Sequence, residues 1–114
     1  MENPTALDES IRIIQEEVET QTGVSVEDMK AKTRKAEVVE ARHIAMYLCI
    51  TLLDHASLKK VGAAFGKRDH STVIHAHESV SNRKDLEPKF QAMVGSISLR
   101  VREKLPKGAL RLVA

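Results

Sequence analysis

The chain has no tryptophan, one tyrosine, two phenylalanines and one cysteine among its 114 residues. With aromatic residues at 3%, a core of stacked rings is excluded and the interior must be aliphatic. The same scarcity argues against a strand-rich sandwich, because aromatics favour strands. The single cysteine, Cys49, excludes an internal disulfide and makes a reducing compartment the default. It lies in an apolar run and reads as a small core residue. No stretch approaches the roughly 20 apolar residues that a membrane span needs, and the N-terminus shows no signal-peptide pattern. The expected setting is therefore the cytoplasm. Only three prolines and five glycines punctuate the sequence, and no repeat or low-complexity segment is visible.

Hydrophobic residues make up 42% of the chain, enough to drive folding. The length suits one domain and is too short for a catalytic domain plus a separate reader. A net charge of +2 hides an asymmetry. Residues 1–29 carry one arginine against eight acidic groups, a net −7, whereas residues 30–114 carry seventeen Lys or Arg against eight acidic groups, a net +9. An acidic head on a basic body points to a polyanion partner for the body, although a solvated mixed-charge surface accounts for charge alone equally well.

The periodicity is helical throughout. Thr5 with Asp8 forms a capping-box signal, and Ile11, Ile14 and Val18 make a narrow apolar stripe ending at Gly23. Ser25 with Asp28 opens a short second helix, with Val26 and Met29 as its apolar contacts. Lys30 to Lys35 is basic and without apolar period, so a loop is expected. From Glu37 to about Asp54 a long helix lines Val38, Ala41, Ala45, Leu48 and Leu52 along one face, with Ile44 and Cys49 beside them. Ser57 caps a short helix through Val61 and Phe65 that stops at Gly66. Asp69 caps the next, for which Val73, Ile74, His77 and Val80 are expected inward. Pro88 starts a last helix burying Phe90, Val94, Ile97 and Val101 and ending before Pro106. The expected organisation is an acidic connector-like helix over 1–22, a helix–turn–helix domain over 23–105 and a loose tail over 106–114.

Residues 57–84 thus outline a short helix, a tight glycine-containing turn and a longer helix, the plan of a unit whose second helix enters the DNA major groove N-terminus first. Asp69, His70, Ser71, Thr72 and His75 are left facing outward. Short polar groups at a positive helix N-terminus, flanked by Lys67 and Arg68, suit a base-edge reader beside phosphates. Asp accepts from the cytosine amino group, and Thr offers a hydroxyl and a methyl to thymine.

The run Gly66-Lys-Arg-Asp-His-Ser-Thr-Val-Ile-His-Ala76 closely resembles the Gly-Gly-Arg-Asp-His-Thr-Thr-Val-X-His-Ala signature of the C-terminal DNA-binding domain of the bacterial replication initiator DnaA. Glu40-Ala-Arg-His-Ile-Ala-Met-Tyr-Leu48 looks like that family's core helix, and Lys30 to Lys35 stands at its basic loop. The resemblance spans roughly Val24 to Val80, with a looser match over residues 5–21. It implies an all-α compact bundle of the TrpR-like, DnaA C-terminal type that binds double-stranded DNA at DnaA-box-like sites. It further implies base contacts from Asp69, His70, Ser71, Thr72 and Ala76 in the major groove and from Arg34 in the adjacent minor groove, which is narrow and electronegative over A/T-rich sequence. Lys32, Arg42, His43, Lys67, Arg68 and His75 become candidates for phosphate contacts. A role in replication initiation or its control, a place on the nucleoid and a monomeric state follow as expectations.

Several positions depart from the family pattern. Lys67 replaces the second signature glycine, Ser71 loses the methyl of a threonine, and Ala36 and Glu78 stand where many members are basic. Lys59 occupies a place usually held by proline, and the turn near Asp54 to Ser57 looks one residue longer. Other chemistries fit poorly. His70 and His77 lie about 10.5 Å apart along their helix at about 1.5 Å per residue, too far to share a zinc ion, so no metal or other cofactor is expected. Asp69, His70 and Ser71 are consecutive and cannot form a catalytic relay. Gly62 to Lys67 has three intervening residues instead of a phosphate loop's four, Arg68 where Ser or Thr belongs, and no preceding strand, so neither nucleotide binding nor catalysis is expected. A stand-alone transcription regulator, or an interaction module that kept the fold, remains the alternative.

Overall fold

The computed structural model describes residues 5–112. Positions 1–4 and 113–114, the outer ends of the expected connector and tail, lie outside it. The chain forms α1 (Ala6–Thr22), α2 (Val26–Lys30), α3 (Ala36–Leu52), α4 (Leu58–Ala64), α5 (His70–Leu86), α6 (Pro88–Lys104) and a 3-10 turn, Lys107–Ala109. There is no strand among the described residues, only an isolated bridge between Leu53 and Leu110.

Local chemistry sets the boundaries. Thr5 and Asp8 exchange hydrogen bonds in a full capping box at 3.1 Å each, satisfying amides that the first turn leaves orphaned. Ser25, Ser57 and Asp69 cap α2, α4 and α5 through the amides of Asp28, Lys60 and Thr72. Gly23 closes α1 in the left-handed region at φ 80°. His55 takes the same region at φ 62° inside the longer turn that the sequence suggested after α3.

The aliphatic core is continuous from α1 to α6. Ile11, Ile14 and Val18 of α1, the α3 stripe from Val38 to Leu52, Val61 and Phe65, and Phe90, Val94, Ile97 and Val101 of α6 are all buried together. Helix α1 is therefore part of this bundle. Its buried Gln15 donates to the Ala64 carbonyl at the end of α4, at 3.0 Å. Its buried Glu17 pairs with Lys104 of α6 and accepts from the Gln21 amide at 2.8 Å. Burial alone would raise the Glu17 carboxyl, but Lys104 and Gln21 outweigh it and hold the group below its ordinary range.

The C-terminal segment differs from the loose tail expected from the sequence. The Arg111 amide donates to the Leu52 carbonyl at 2.7 Å and the Asp54 amide to the Ala109 carbonyl at 3.0 Å. Residues 106–111 thus return to cover the end of α3, where a helix leaves carbonyls without partners.

Between α4 and α5 the turn is packed without slack. A Cβ on Gly66, at φ 85°, would lie 2.1 Å from the Lys30 carbonyl, and one on Gly62 would lie 2.1 Å from the Arg68 carbonyl. Gly66→Ala meets both the left-handed penalty of about 1–2 kcal/mol and a backbone collision. It is expected to lower Tm by about 10 °C in thermal unfolding, at about 4–8 °C per kcal/mol for a small domain. Gly108→Ala, with nothing within 4 Å, is expected to leave Tm nearly unchanged.

Candidate nucleic-acid interface

Helix α5 is seated on α3 and α4 through Val73, Ala76 and Val80. Its N-terminus carries Asp69, whose Oδ1 accepts from the Thr72 amide at 2.9 Å and the Thr72 hydroxyl at 3.0 Å. The bonds from Thr72 hold the Asp69 carboxyl below its ordinary range. The Thr72 hydroxyl proton is thereby committed, leaving the oxygen's lone pairs and the methyl to face a ligand. Asp69, His70, Ser71 and His75 are exposed, as are Lys67 in the turn and Lys32, Arg34 and Lys35 in the loop. Lys67 adopts φ 60°, so a side chain is accommodated at a left-handed position where the family pattern has glycine.

What holds the basic loop next to α5 is a pair of arginines. Arg42, only 5% exposed, donates Nε to the Met29 carbonyl at 2.7 Å and Nη2 to the carbonyls of Ala31 at 2.9 Å and Thr33 at 3.2 Å. Burial lowers its pKa, aided by neighbouring Arg68, though a guanidinium remains charged. Arg68 donates Nε to the Phe65 carbonyl at 3.0 Å and Nη2 to the same Ala31 carbonyl. The loop that carries Lys32 and Arg34 is thus tied to α3 and to the turn before α5.

The other candidates occupy defined places. His43 is half-buried, its ring edge-on to His75 with centroids 5.9 Å apart. Burial, then His75, Arg42 and Arg68, lower its pKa, so it offers a neutral N–H in place of a cation. A cleft of about 350 Å³ lined by Arg34, His43, Ser79 and Arg83 separates the loop from the middle of α5. Arg83 is ion-paired with Glu40 and Glu87 and lies 4.0 Å from the Phe90 ring centroid.

Four sequence expectations need correction. Ala76 is fully buried, because it continues the inward Val73–Val80 stripe, and its methyl is not presented to a groove. Arg42 is buried and spent on backbone carbonyls, so it organises the loop in place of standing exposed for phosphates. On α5, Ile74 points outward at 39% exposure, and half-buried His77 stacks on Tyr47 at 5.2 Å in place of entering the core. Arg42 was visible as an in-phase member of the Val38, Ala41, Ala45 stripe, but charge masked its period.

A short helix, a glycine turn and a capped second helix with an exposed polar first turn define a helix–turn–helix domain. Residues 11–80 match the family described as bacterial dnaA protein helix-turn-helix, and the chain belongs to that family. A chromosomal replication initiator protein DnaA from Enterococcus faecalis is 44% identical over 88 residues, which are 77% of this chain and 20% of that protein. The chain thus spans about a fifth of that curated relative's length. A crystal structure described as a DNA replication initiation factor superposes with TM-score 0.76 at 38% identity, covering 89% of this chain and 30% of the other.

Arg42→Met is expected to cost about 2–4 kcal/mol, since it removes the donor of the buried Met29 carbonyl and of the part-buried Thr33 carbonyl, at about 1–3 kcal/mol for a buried group left unpaired, and to raise hydrogen exchange across residues 31–35. Arg42→Lys should rescue little, because an ammonium lacks the planar fork. Wild-type stability in either variant would return Arg42 to the phosphate contacts. For Asp69, a depressed folded pKa means that its capping contribution is complete above its unfolded value, near 3.8, and lost as pH falls through the folded one. Asp69→Asn retains an acceptor without the titration. The Tm deficit of this variant at neutral pH is expected to shrink as pH is lowered below about 4, measured by circular dichroism.

Proposed function

We propose that this chain binds short double-stranded sites of the DnaA-box kind, serving replication initiation or its control. Helix α5 enters the major groove and Arg34 the adjacent minor groove. The supporting observation is the shared Ala31 carbonyl, which ties the Arg34 loop to the turn before α5. Asp69, His70, Ser71 and Thr72 address base edges. Lys32, Lys67, Arg68 and His75 address phosphates, with His43 as a neutral donor; the two Arg68 bonds leave further N–H groups of its five. Family membership and the Enterococcus faecalis initiator support the same reading.

The module acts as a reader without catalysis and without a nucleotide of its own, one copy per site, in the cytoplasm on the nucleoid. No helix among the described residues is long and apolar enough to cross a membrane, and no metal-binding cluster of three or more ligands occurs among them.

The test is a mobility-shift titration on a DnaA-box duplex and a scrambled duplex at two salt concentrations. Binding is expected to favour the box and to weaken steeply with salt, by about −0.9 in log–log slope per neutralised phosphate. Lys32→Ala should weaken both duplexes alike and flatten the slope by about one unit, whereas Thr72→Ala should cost about 1–3 kcal/mol on the box alone. Arg34→Ala should penalise A/T-flanked boxes more than G/C-flanked ones, since the minor groove separates little else. Equal affinity for box and scrambled duplex, or affinity indifferent to salt, overturns the reading.

A further inference from the structure

The outward face of α5 is not wholly polar. With Val73, Ala76 and Val80 buried, the opposite side of the helix is formed by Ser71, Ile74, His75 and Glu78, all exposed. Ile74 lies three residues after Ser71 and four after His70, one helical turn further along the side that those two share. Its rise beyond Ser71 is about 4.5 Å, little more than the roughly 3.4 Å that separates successive base pairs.

A β-branched aliphatic residue is a poor choice for a solvated helix face. It loses χ1 freedom there and gains nothing from water. Single apolar side chains are common on protein surfaces, and Leu86 and Leu99 are more exposed than Ile74; what distinguishes Ile74 is its place one turn beyond His70 and Ser71, where an apolar group on an engaged base edge would cover it. In a major groove the apolar group available on a base edge is the 5-methyl of thymine. Ser71 lacks the methyl that threonine would supply one turn earlier, so Ile74 is the large aliphatic group that this face presents. Glu78 follows at i+4 and faces the same way. Its carboxylate repels phosphates, which favours docking with Ile74 over bases and away from the backbone.

We infer that Ile74 is a specificity-determining residue, its exposed side chain packing against a thymine 5-methyl one step beyond the bases read by the first turn of α5. This inference rests on the proposed DNA reading and deepens it by adding an apolar contact to the polar ones.

The experiment replaces each thymine of a DnaA-box duplex in turn by deoxyuridine, which removes only the methyl, and measures affinity by fluorescence anisotropy beside a scrambled duplex. For the wild-type chain one position is expected to lose about four-fold in affinity, from the transfer value of roughly 0.8 kcal/mol per buried carbon at about 1.4 kcal/mol per tenfold. Ile74→Ala should bind the unmodified box about four-fold or more weakly and show no further loss at that position, while still responding at other positions. Ile74→Val, which keeps the branched methyls, should restore the methyl dependence. Alanine is favoured in an exposed helix, so the variant folds, and circular dichroism verifies it. No methyl-sensitive position in the wild type, or the same four-fold loss persisting in Ile74→Ala, overturns the inference while box preference stands. Loss of box preference in the wild-type chain overturns the DNA reading itself.

Discussion

The backbone carbonyl of Ala31 receives guanidinium groups from two directions, Arg42 from α3 and Arg68 from the turn before α5. Bringing two cations to one acceptor is unfavourable by itself, and it depresses the Arg42 pKa further. The carbonyls around it compensate. Those of Asp28 and Met29 belong to the C-terminal end of α2, where the helix dipole favours positive charge. Charge-assisted bonds of this kind are about twice as strong as neutral ones, and the planar fork lets Arg42 hold several carbonyls at once. Gly66 lies directly on the adjacent Lys30 carbonyl, so the same corner of the fold admits no side chain. Loop, turn and α5 are consequently one unit, and the geometry of the proposed reading surface depends on it.

Most of this fold was legible in the sequence because its punctuation is local. Thr5, Ser25, Ser57 and Asp69 each cap a helix through their own side chains, and a bond between residues i and i+3 needs no tertiary context. The aliphatic stripes of α1, α3 and α6 have the helical period and little competition from polar residues. Helix α5 was legible only in part. Its phase is carried by Val73, Ala76 and Val80, but a small alanine weighs less than isoleucine in a hydrophobicity pattern, so periodicity turns Ile74 inward, while the family resemblance alone puts Ala76 among the base contacts. Arg42 failed for the converse reason. A buried arginine is rare, and its partners are the carbonyls of a loop with no periodicity of its own. The docked tail was illegible because backbone bonds to Leu52 and Asp54 leave no trace in side-chain type, and its two packed apolar residues, Ala109 and Leu110, are too few to show a period.

The charge asymmetry also takes a physical form. Helix α1 spends acidic groups on the bundle's own cations: Asp8 lies 3.4 Å from Lys60, and Glu17 pairs with Lys104. The acidic head is therefore a packed helix tied to α4 and α6. The cations of the 31–35 loop and the 66–68 turn are left with backbone carbonyls or solvent around them. Under the proposed reading, acidic and basic parts cooperate: one neutralises Lys60 and Lys104 within the bundle, and the other concentrates positive potential where a polyanion can approach.

Under the proposed reading, Lys67 brings stability and DNA contact into opposition at one residue. Its φ of 60° places a Cβ in a region that costs about 1–2 kcal/mol for an L-residue. Glycine there would relieve that strain but would give back about 0.4–1 kcal/mol through a freer unfolded chain, so the turn stands to gain only modestly from losing the side chain. On the proposed reading the gain from keeping it lies outside the folded domain, in a lysine held next to the N-terminus of α5, where backbone amides favour an anion. Strain of this size persists only where surrounding contacts fix the backbone, and those contacts are present: Gly62 against the Arg68 carbonyl, and Arg68 against Phe65 and Ala31. The clamp that aligns the loop with α5 is thus also what allows a charged residue to occupy a glycine's conformation at the tip of the turn.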